Sequence, residues 1–305
     1  MKKKDLLSLR DFTTEEIRDF LSAAFDIKAN PGKYSESLKG KALALIFEKP
    51  SLRTRVTFDV GIHQLGGFSV YLSPAEINLG KRESVRDVAK NLERMVQGIM
   101  VRTFAHEIAV QLAEQACIPV INGLTDFSHP CQALADYMTI LEIKEDCHGL
   151  KVAYVGDGNN VAHSLIYGAV QLGIHIALAT PAGYEPSPGV LSWAKEHAGE
   201  TGARVEVTRD ANLAVDNADV VYTDVWTSMG QEAEAEGRRK IFLPYQVNEA
   251  LFRHARPDAI FMHCLPAHRG EEVTDGVIDS ARSVVFQQAE NRLHAQKAVL
   301  VALMG

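Results

Sequence analysis

Short apolar runs alternate along this chain with stretches in which apolar side chains recur every three or four positions. The runs have the pattern of strands buried on both faces and the recurring stretches that of helices with one buried stripe, so the alternation predicts βαβ units around parallel sheets. Strands are predicted at Lys41–Phe47, Phe68–Leu72, Gly98–Arg102 and Ile118–Ile121. Between and after them fall helices at Arg53–Leu65 (Phe58, Ile62 and Leu65 on one face), Ser84–Val96 (Val85, Val88, Leu92 and Met95 in a stripe), His106–Gln115 and His129–Ile143. The pattern then restarts, with strands at Lys151–Gly156, His175–Thr180, Arg204–Thr208, Val220–Val225 and Ala259–Cys264, helices between them, and a terminal helix at Arg292–Leu303. The expected fold class is α/β, with two domains, each a parallel sheet flanked by helices. They meet near residues 130–150, where no Pro/Gly/Ser-rich linker stands and a helix is expected to join them.

Composition narrows the picture. A net charge of -7 argues against non-specific nucleic-acid binding, which needs a basic face. The four cysteines, Cys117, Cys131, Cys147 and Cys264, form no CxxC pair and no zinc spacing, which points to a reducing compartment. The basic start Met1–Lys4 is followed by Asp5 and Arg10 rather than an apolar core, and no long apolar run is present. A cytoplasmic chain, or a mature organellar form, with no membrane partner is therefore expected.

Candidate chemistry gathers where predicted strands end, the place where parallel sheets hold their ligands. Pro50-Ser51-Leu52-Arg53-Thr54-Arg55 runs from a loop into a helix. Its free backbone N–H groups, hydroxyls and the planar fork of Arg53 would suit a phosphate, although a capped helix with surface arginines has the same composition. Arg102 and Asp224 stand at or next to strand ends, and Cys264 ends the last run. Gly156-Asp157-Gly158-Asn159-Asn160 superficially suggests a dinucleotide fingerprint. The third glycine would fall at Val161, and the next strand ends in Thr180-Pro181 with no acid for a ribose. Ser228 opens a long connection to Pro244, a length usually kept for a functional or mobile segment. Asn160 could cap a helix, Asp224 could start a turn, and Cys264 could be a buried structural thiol.

Taken together, Ser51–Arg55, His129-Pro130-Cys131-Gln132, Asp224, Ser228-Met229-Gly230 and His263-Cys264-Leu265-Pro266 resemble the signature of the aspartate/ornithine carbamoyltransferases, and the Ser-Met-Gly loop resembles the ornithine branch. The resemblance implies transfer of a carbamoyl group from carbamoyl phosphate to L-ornithine, with no metal and no organic cofactor. It implies Cys264, Asp224, Arg102 and His129 as catalytic residues. Carbamoyl phosphate contacts would come from Ser51, Leu52, Arg53, Thr54, Asn78, Arg102, His129, Gln132, Cys264, Leu265 and Arg292, the last at the start of the terminal helix. Ornithine contacts would come from Asn160, Asp224, Ser228 and Met229. Leu52 stands where most members carry Thr, and Asn78 where Gln or His reaches a neighbouring subunit's site. Cys131 is expected to be a small buried apolar residue. The implied domains are residues 1–135, with 288–305 packing back, for carbamoyl phosphate, and 136–287 for ornithine; the implied assembly is a homotrimer. The polar loop 73–82 is expected to look outside its own half for partners. Three other readings stay open: a sibling acting on putrescine or an acylated ornithine, a nicotinamide-dependent oxidoreductase, and a non-catalytic homologue.

Overall fold

A computed structural model describes residues 4–77, 79–147, 149–228, 230 and 232–305. The chain divides into two compact units, Met1–Met138 with Glu290–Gly305, and Thr139–Ala289.

The first unit runs α1 (Thr14–Ala29), β1 (Ala42–Phe47), α2 (Leu52–Gln64), β2 (Phe68–Leu72), α3 (Pro74–Ile77), α4 (Val85–Leu92), β3 (Gly98–Arg102), α5 (His106–Gln115), β4 (Val120–Leu124) and the start of α6 (Pro130–Lys144). Its sheet has the order β2-β1-β3-β4, every pairing parallel. The central β1 and β3 are buried at every position, whereas β2 at the edge alternates exposed and half-buried residues. No element was expected ahead of β1, yet α1 carries a plain signal. Thr13 accepts from the Glu16 N–H and Glu16 returns a bond to the Thr13 N–H, a capping box that opens the buried stripe Ile17, Phe20, Leu21, Ala24 and Ile27. The predicted strand Ile118–Ile121 is displaced to β4. Buried Asn122 continues it because its side-chain amide donates to the carbonyls of Leu7 (2.9 Å) and Ser128 (3.3 Å), so a polar residue sits inside a strand. The loop 73–82 finds partners within its own unit. Glu76 accepts from the Ser73 N–H at 2.7 Å, and Arg82 donates to the Glu76 carbonyl at 2.8 Å.

The second unit continues α6 and adds β5 (Lys151–Val155), α7 (Asn160–Leu172), β6 (His175–Ala179), α8 (Pro188–Thr201), β7 (Val205–Thr208), α9 (Ala211–Val215), β8 (Val220–Thr223), α10 (Ala235–Phe242), α11 (Glu249–Phe252), β9 (Ile260–His263), α12 (Asp275–Ile278) and the start of α13 (Val285–Met304). The sheet order is β7-β6-β5-β8-β9, again all parallel. The chain leaves the first unit within α6 and re-enters it within α13. Two expectations change here. The terminal helix begins at Val285, so Arg292 lies well inside it rather than at its start; buried Gln288 and Asn291 interrupt the apolar pattern that would have announced the earlier turns. The connection from Ser228 to Pro244 holds a helix, α10, which buries Arg238 and Phe242.

Candidate functional site

In a parallel sheet the strand order reverses at one point, and the two strands there diverge into a crevice beyond their C-terminal ends. In the first unit this point lies between β1 and β3. Ser51 caps α2 just beyond β1, its Oγ accepting from the Thr54 N–H at 3.2 Å. That bond leaves the hydroxyl hydrogen available to a ligand. Leu52 is 73 % exposed, so its own contribution at the helix start is limited to its backbone N–H. Arg53 is half-buried and Thr54 buried.

Across the reversal, Arg102 ends β3 and its Nη1 lies 3.5 Å from Thr54 Oγ1. Arg292, brought in on α13 and only 2 % exposed, donates through Nη2 to the same oxygen at 3.3 Å and through Nη1 to Gln132 Oε1 at 2.6 Å. With its amide oriented to satisfy both ends, Gln296 accepts from Arg292 Nη2 at 2.7 Å and Nε at 3.2 Å, and donates to Thr57 Oγ1. Three of the groups that hold Arg292 are thus neutral, and they orient the guanidinium without cancelling its charge. Gln132 bridges Arg292 and Asp136, to which its Nε2 donates at 2.8 Å, leaving its oxygen one further lone pair.

His129 precedes α6 and is buried. Burial, then Arg292, Arg102 and Arg53, hold its pKa well below the usual histidine value, so the imidazole is neutral. A neutral imidazole ringed by three guanidiniums describes an anion pocket. Cys131 is fully buried and its pKa is pushed up to about 12 by desolvation, as expected for an inert packing thiol. Asn78 lies outside the described residues.

In the second unit the reversal lies between β5 and β8. Asn159, not Asn160, caps α7; Asn160 is the first helical residue. Asp224 follows β8 and is 5 % exposed. Its Oδ1 accepts from Cys264 Sγ at 3.0 Å and from the Val225 N–H at 2.8 Å, and its Oδ2 accepts from Asn159 Nδ2 at 2.8 Å. A carboxylate and a thiol therefore meet at the mouth of the sheet. Ser228 is half-buried beyond Asp224, and Met229 lies outside the described residues.

The turn that carries Cys264 is held from behind. His263 is fully buried; its Nδ1 accepts from the Leu265 N–H at 2.8 Å and its Nε2 faces Glu272 Oε1 at 3.1 Å. Accepting at Nδ1 puts the ring proton on Nε2, donated to Glu272. Leu265 has φ +58°, a left-handed conformation that this bond supports. Asp224, His263 and Cys264 could each offer a metal a ligand atom within 4.8 Å of the others, but both His263 nitrogens are already committed.

Gly158 is explained by packing. A Cβ there would lie 2.3 Å from the Pro186 nitrogen and 2.5 Å from the Glu185 carbonyl carbon, so the space a pyrophosphate would take above it is filled by the chain itself. Sequence reasoning missed Asn159, Gln296, Glu272 and Arg238. Only Asn159 stood beside a residue already singled out, since either asparagine could have been the cap.

Two family models match. Residues 148–303 fit the aspartate/ornithine carbamoyltransferase Asp/Orn binding domain, and residues 4–142 fit the carbamoyl-P binding domain of the same description. The chain is 59 % identical to an ornithine carbamoyltransferase of Thermococcus kodakarensis, over 99 % of this chain and 96 % of that protein. It is 58 % identical to an anabolic ornithine carbamoyltransferase of Pyrococcus furiosus, with the same coverage. Among solved structures, the ornithine carbamoyltransferase of Pyrococcus furiosus superimposes with a TM-score of 0.96 at 57 % identity, covering 99 % of this chain and 97 % of that one. That of Thermus thermophilus gives 0.91 at 47 % identity over the full length of both.

Proposed function

The chain belongs to the aspartate/ornithine carbamoyltransferase family, and from that premise we propose that it transfers the carbamoyl group of carbamoyl phosphate to the δ-amine of L-ornithine, releasing L-citrulline and phosphate. The observation that carries the reading is the division of charge: buried arginines around a neutral histidine in one unit, and a buried carboxylate bonded to a thiol in the other.

The first unit is assigned carbamoyl phosphate. Arg53, the Ser51 hydroxyl and the α2 N-terminus hold phosphate, with Leu52 contributing its N–H and Asn78 an expected contact. Arg102, Thr54, His129 and Arg292 surround the carbamoyl group. Neutral His129 donates to the carbamoyl oxygen, polarising it and stabilising the oxyanion of the tetrahedral state. Gln132 accepts from the carbamoyl NH₂ with its remaining lone pair.

The second unit is assigned ornithine. Its δ-ammonium resembles that of lysine, with a pKa of about 10.4, and must shed a proton before it can attack. Asp224 attracts the amine and Cys264 fixes its approach, with Leu265 beside them. Asn160 and the Ser228-Met229 pair bind the amino-acid end. Holding both substrates in attack geometry supplies roughly 7–11 kcal/mol of the barrier.

The assembly is proposed to be a homotrimer. Leu52, Val56 and Val60 recur every fourth residue along α2 and are exposed, as are Phe68 and Val70 on edge strand β2; such a patch favours association. No helix among the described residues is long and apolar enough to cross a membrane. A cytoplasmic location is supported by the four cysteines, all free thiols.

The test is citrulline formation from carbamoyl phosphate with ornithine, putrescine and Nα-acetylornithine offered in turn. Ornithine should be strongly preferred; no citrulline from ornithine would refute the assignment.

A further inference from the structure

Asn159 does two things with one amide. Its Oδ1 accepts from the N–H groups of Val161 (2.9 Å) and Ala162 (3.2 Å) and from the Tyr154 hydroxyl (3.3 Å). The two backbone N–H donors fix which end of the amide is oxygen, since the Tyr154 hydroxyl also donates to the Asp157 carbonyl at 2.9 Å, so Nδ2 must face Asp224, to which it donates at 2.8 Å. The bond crosses the reversal between β5 and β8, tying the start of α7 to the carboxylate after β8.

Asp224 is thereby held on both oxygens, by Asn159 on Oδ2 and by Cys264 and its own Val225 N–H on Oδ1. A carboxylate so held has one rotamer and a defined set of lone pairs left for a ligand. Removing the Nδ2 donor would free it to turn. The cap itself needs only an oxygen, which Ser or Asp would supply equally well. A serine hydroxyl carries its hydrogen on the capping oxygen itself, whereas asparagine places its donor on a second atom, Nδ2, which reaches Asp224 while Oδ1 caps the helix.

We infer that Asn159 is a positioning residue for the amine-side carboxylate, setting the orientation in which Asp224 meets the δ-amine. The inference rests on the reading of Asp224 given above.

The groups around Asp224 are Tyr154 of β5, Asp157 and Asn159 of the following loop, the Val225 N–H, and His263 and Cys264 at the end of β9. Of these, only the residue at 159 changes in the test. Asn159→Ser keeps a cap and loses the Nδ2 donor that reaches Asp224. Its kcat/KM for ornithine should fall roughly ten- to hundredfold, the loss expected for one hydrogen bond to a charged group. Carbamoyl phosphate affinity and thermal midpoint should stay near the wild-type values. Asn159→Asp also keeps the cap but sets a second carboxylate against Asp224, and two carboxylates so close share a proton. The acid limb of its kcat/KM profile should move up by at least one pH unit. Should Asn159→Ser fail to fold, the aspartate variant decides alone.

Wild-type kcat/KM and an unmoved acid limb would overturn the inference. So would equal losses of turnover and carbamoyl phosphate affinity, which a merely structural cap would produce. Wild-type protein that makes no citrulline would instead overturn the functional reading, so the two failures are distinguishable.

Discussion

Arg238→Met removes one member of a buried pair in the second unit, and its cost should depend on pH in a calculable way. Arg238 is 4 % exposed and donates to Asp157 Oδ2; its Nε donates to the Trp226 carbonyl at 2.5 Å. The guanidinium lies 4.8 Å from the Tyr184 ring centre and 5.2 Å from that of Phe242. Methionine replaces the stem but leaves the Asp157 carboxylate without its cation, a loss of about 3–5 kcal/mol. Asp157 can escape by taking a proton. Burial raises its pKa from 3.8 to about 6 even with Arg238 beside it, and Asp224 and Glu234 add to the rise. Without Arg238 it goes higher. Because the folded pKa exceeds the unfolded one, this group's contribution is complete below the unfolded value and is lost as pH rises through the folded value. Between pH 7.5 and 5 the wild type should gain about 1.4 kcal/mol from this group, and the variant up to about 3.4 kcal/mol. The variant's deficit should therefore shrink at pH 5 by up to about 2 kcal/mol. Both tryptophans, Trp193 and Trp226, lie in the second unit, so urea unfolding followed by fluorescence reports on it. Adding Asp157→Asn should recover most of the loss at pH 7.5 and remove the pH dependence. An equal deficit at both pH values, or a double variant no better than the single, would refute the reasoning.

Arg53→Ala should weaken carbamoyl phosphate roughly ten- to hundredfold in calorimetry, the worth of a charge-assisted bond, and leave ornithine affinity unchanged; equal losses would contradict the assignment. Cys264→Ser should lower turnover with carbamoyl phosphate binding intact, because the Sγ–Asp224 contact of 3.0 Å belongs to the amine side. Near-wild-type rates across pH 6–9 would return Cys264 to a packing role. Val56→Asp, on the exposed stripe of α2, should convert the sedimenting species from trimer to single chain; a wild-type monomer with full activity would dispose of the trimer.

The sheets were legible because their strands are apolar on both faces and short enough to stand out between periodic stretches. β2, β3 and α5 fall where the pattern puts them, since the one buried polar side chain among them, Arg102, stands at the very end of β3. β4 and the early turns of α13 were misread for one reason. Asn122, Gln288 and Asn291 are buried polar residues that each have a partner far away in sequence, so composition reports them as breaks. Arg238 hid in the charge run Glu232–Lys240, where nothing local separates a buried arginine from a solvated one. The strand-end residues Arg102, Asp224 and Cys264 were legible because the fold class itself says where chemistry gathers. Asn159 and Asn160 were not separable, because the choice of cap turns on which residue leaves extended backbone last.

The two units use the same architecture for opposite electrostatic ends. In each, a hydrogen bond spans the point where strand order reverses: Arg102 to Thr54 between β1 and β3, and Asn159 to Asp224 between β5 and β8. In the first unit the charged partner is the donor, with Thr54, Gln132 and Gln296 among the groups that hold it, and burial together with the arginines keeps His129 neutral. In the second the charged partner is the acceptor, held by a neutral amide and a thiol, so the crevice stays negative. A support of opposite charge partly consumes the charge it holds. A neutral support such as Gln132, Thr54 or Asn159 orients a charged group without cancelling its charge. That choice also separates the reactants by type. An anionic electrophile is repelled from Asp224, and a cationic amine from the arginines. On the proposed assignment of substrates, each is thereby steered to the unit that suits it before the amine loses its proton.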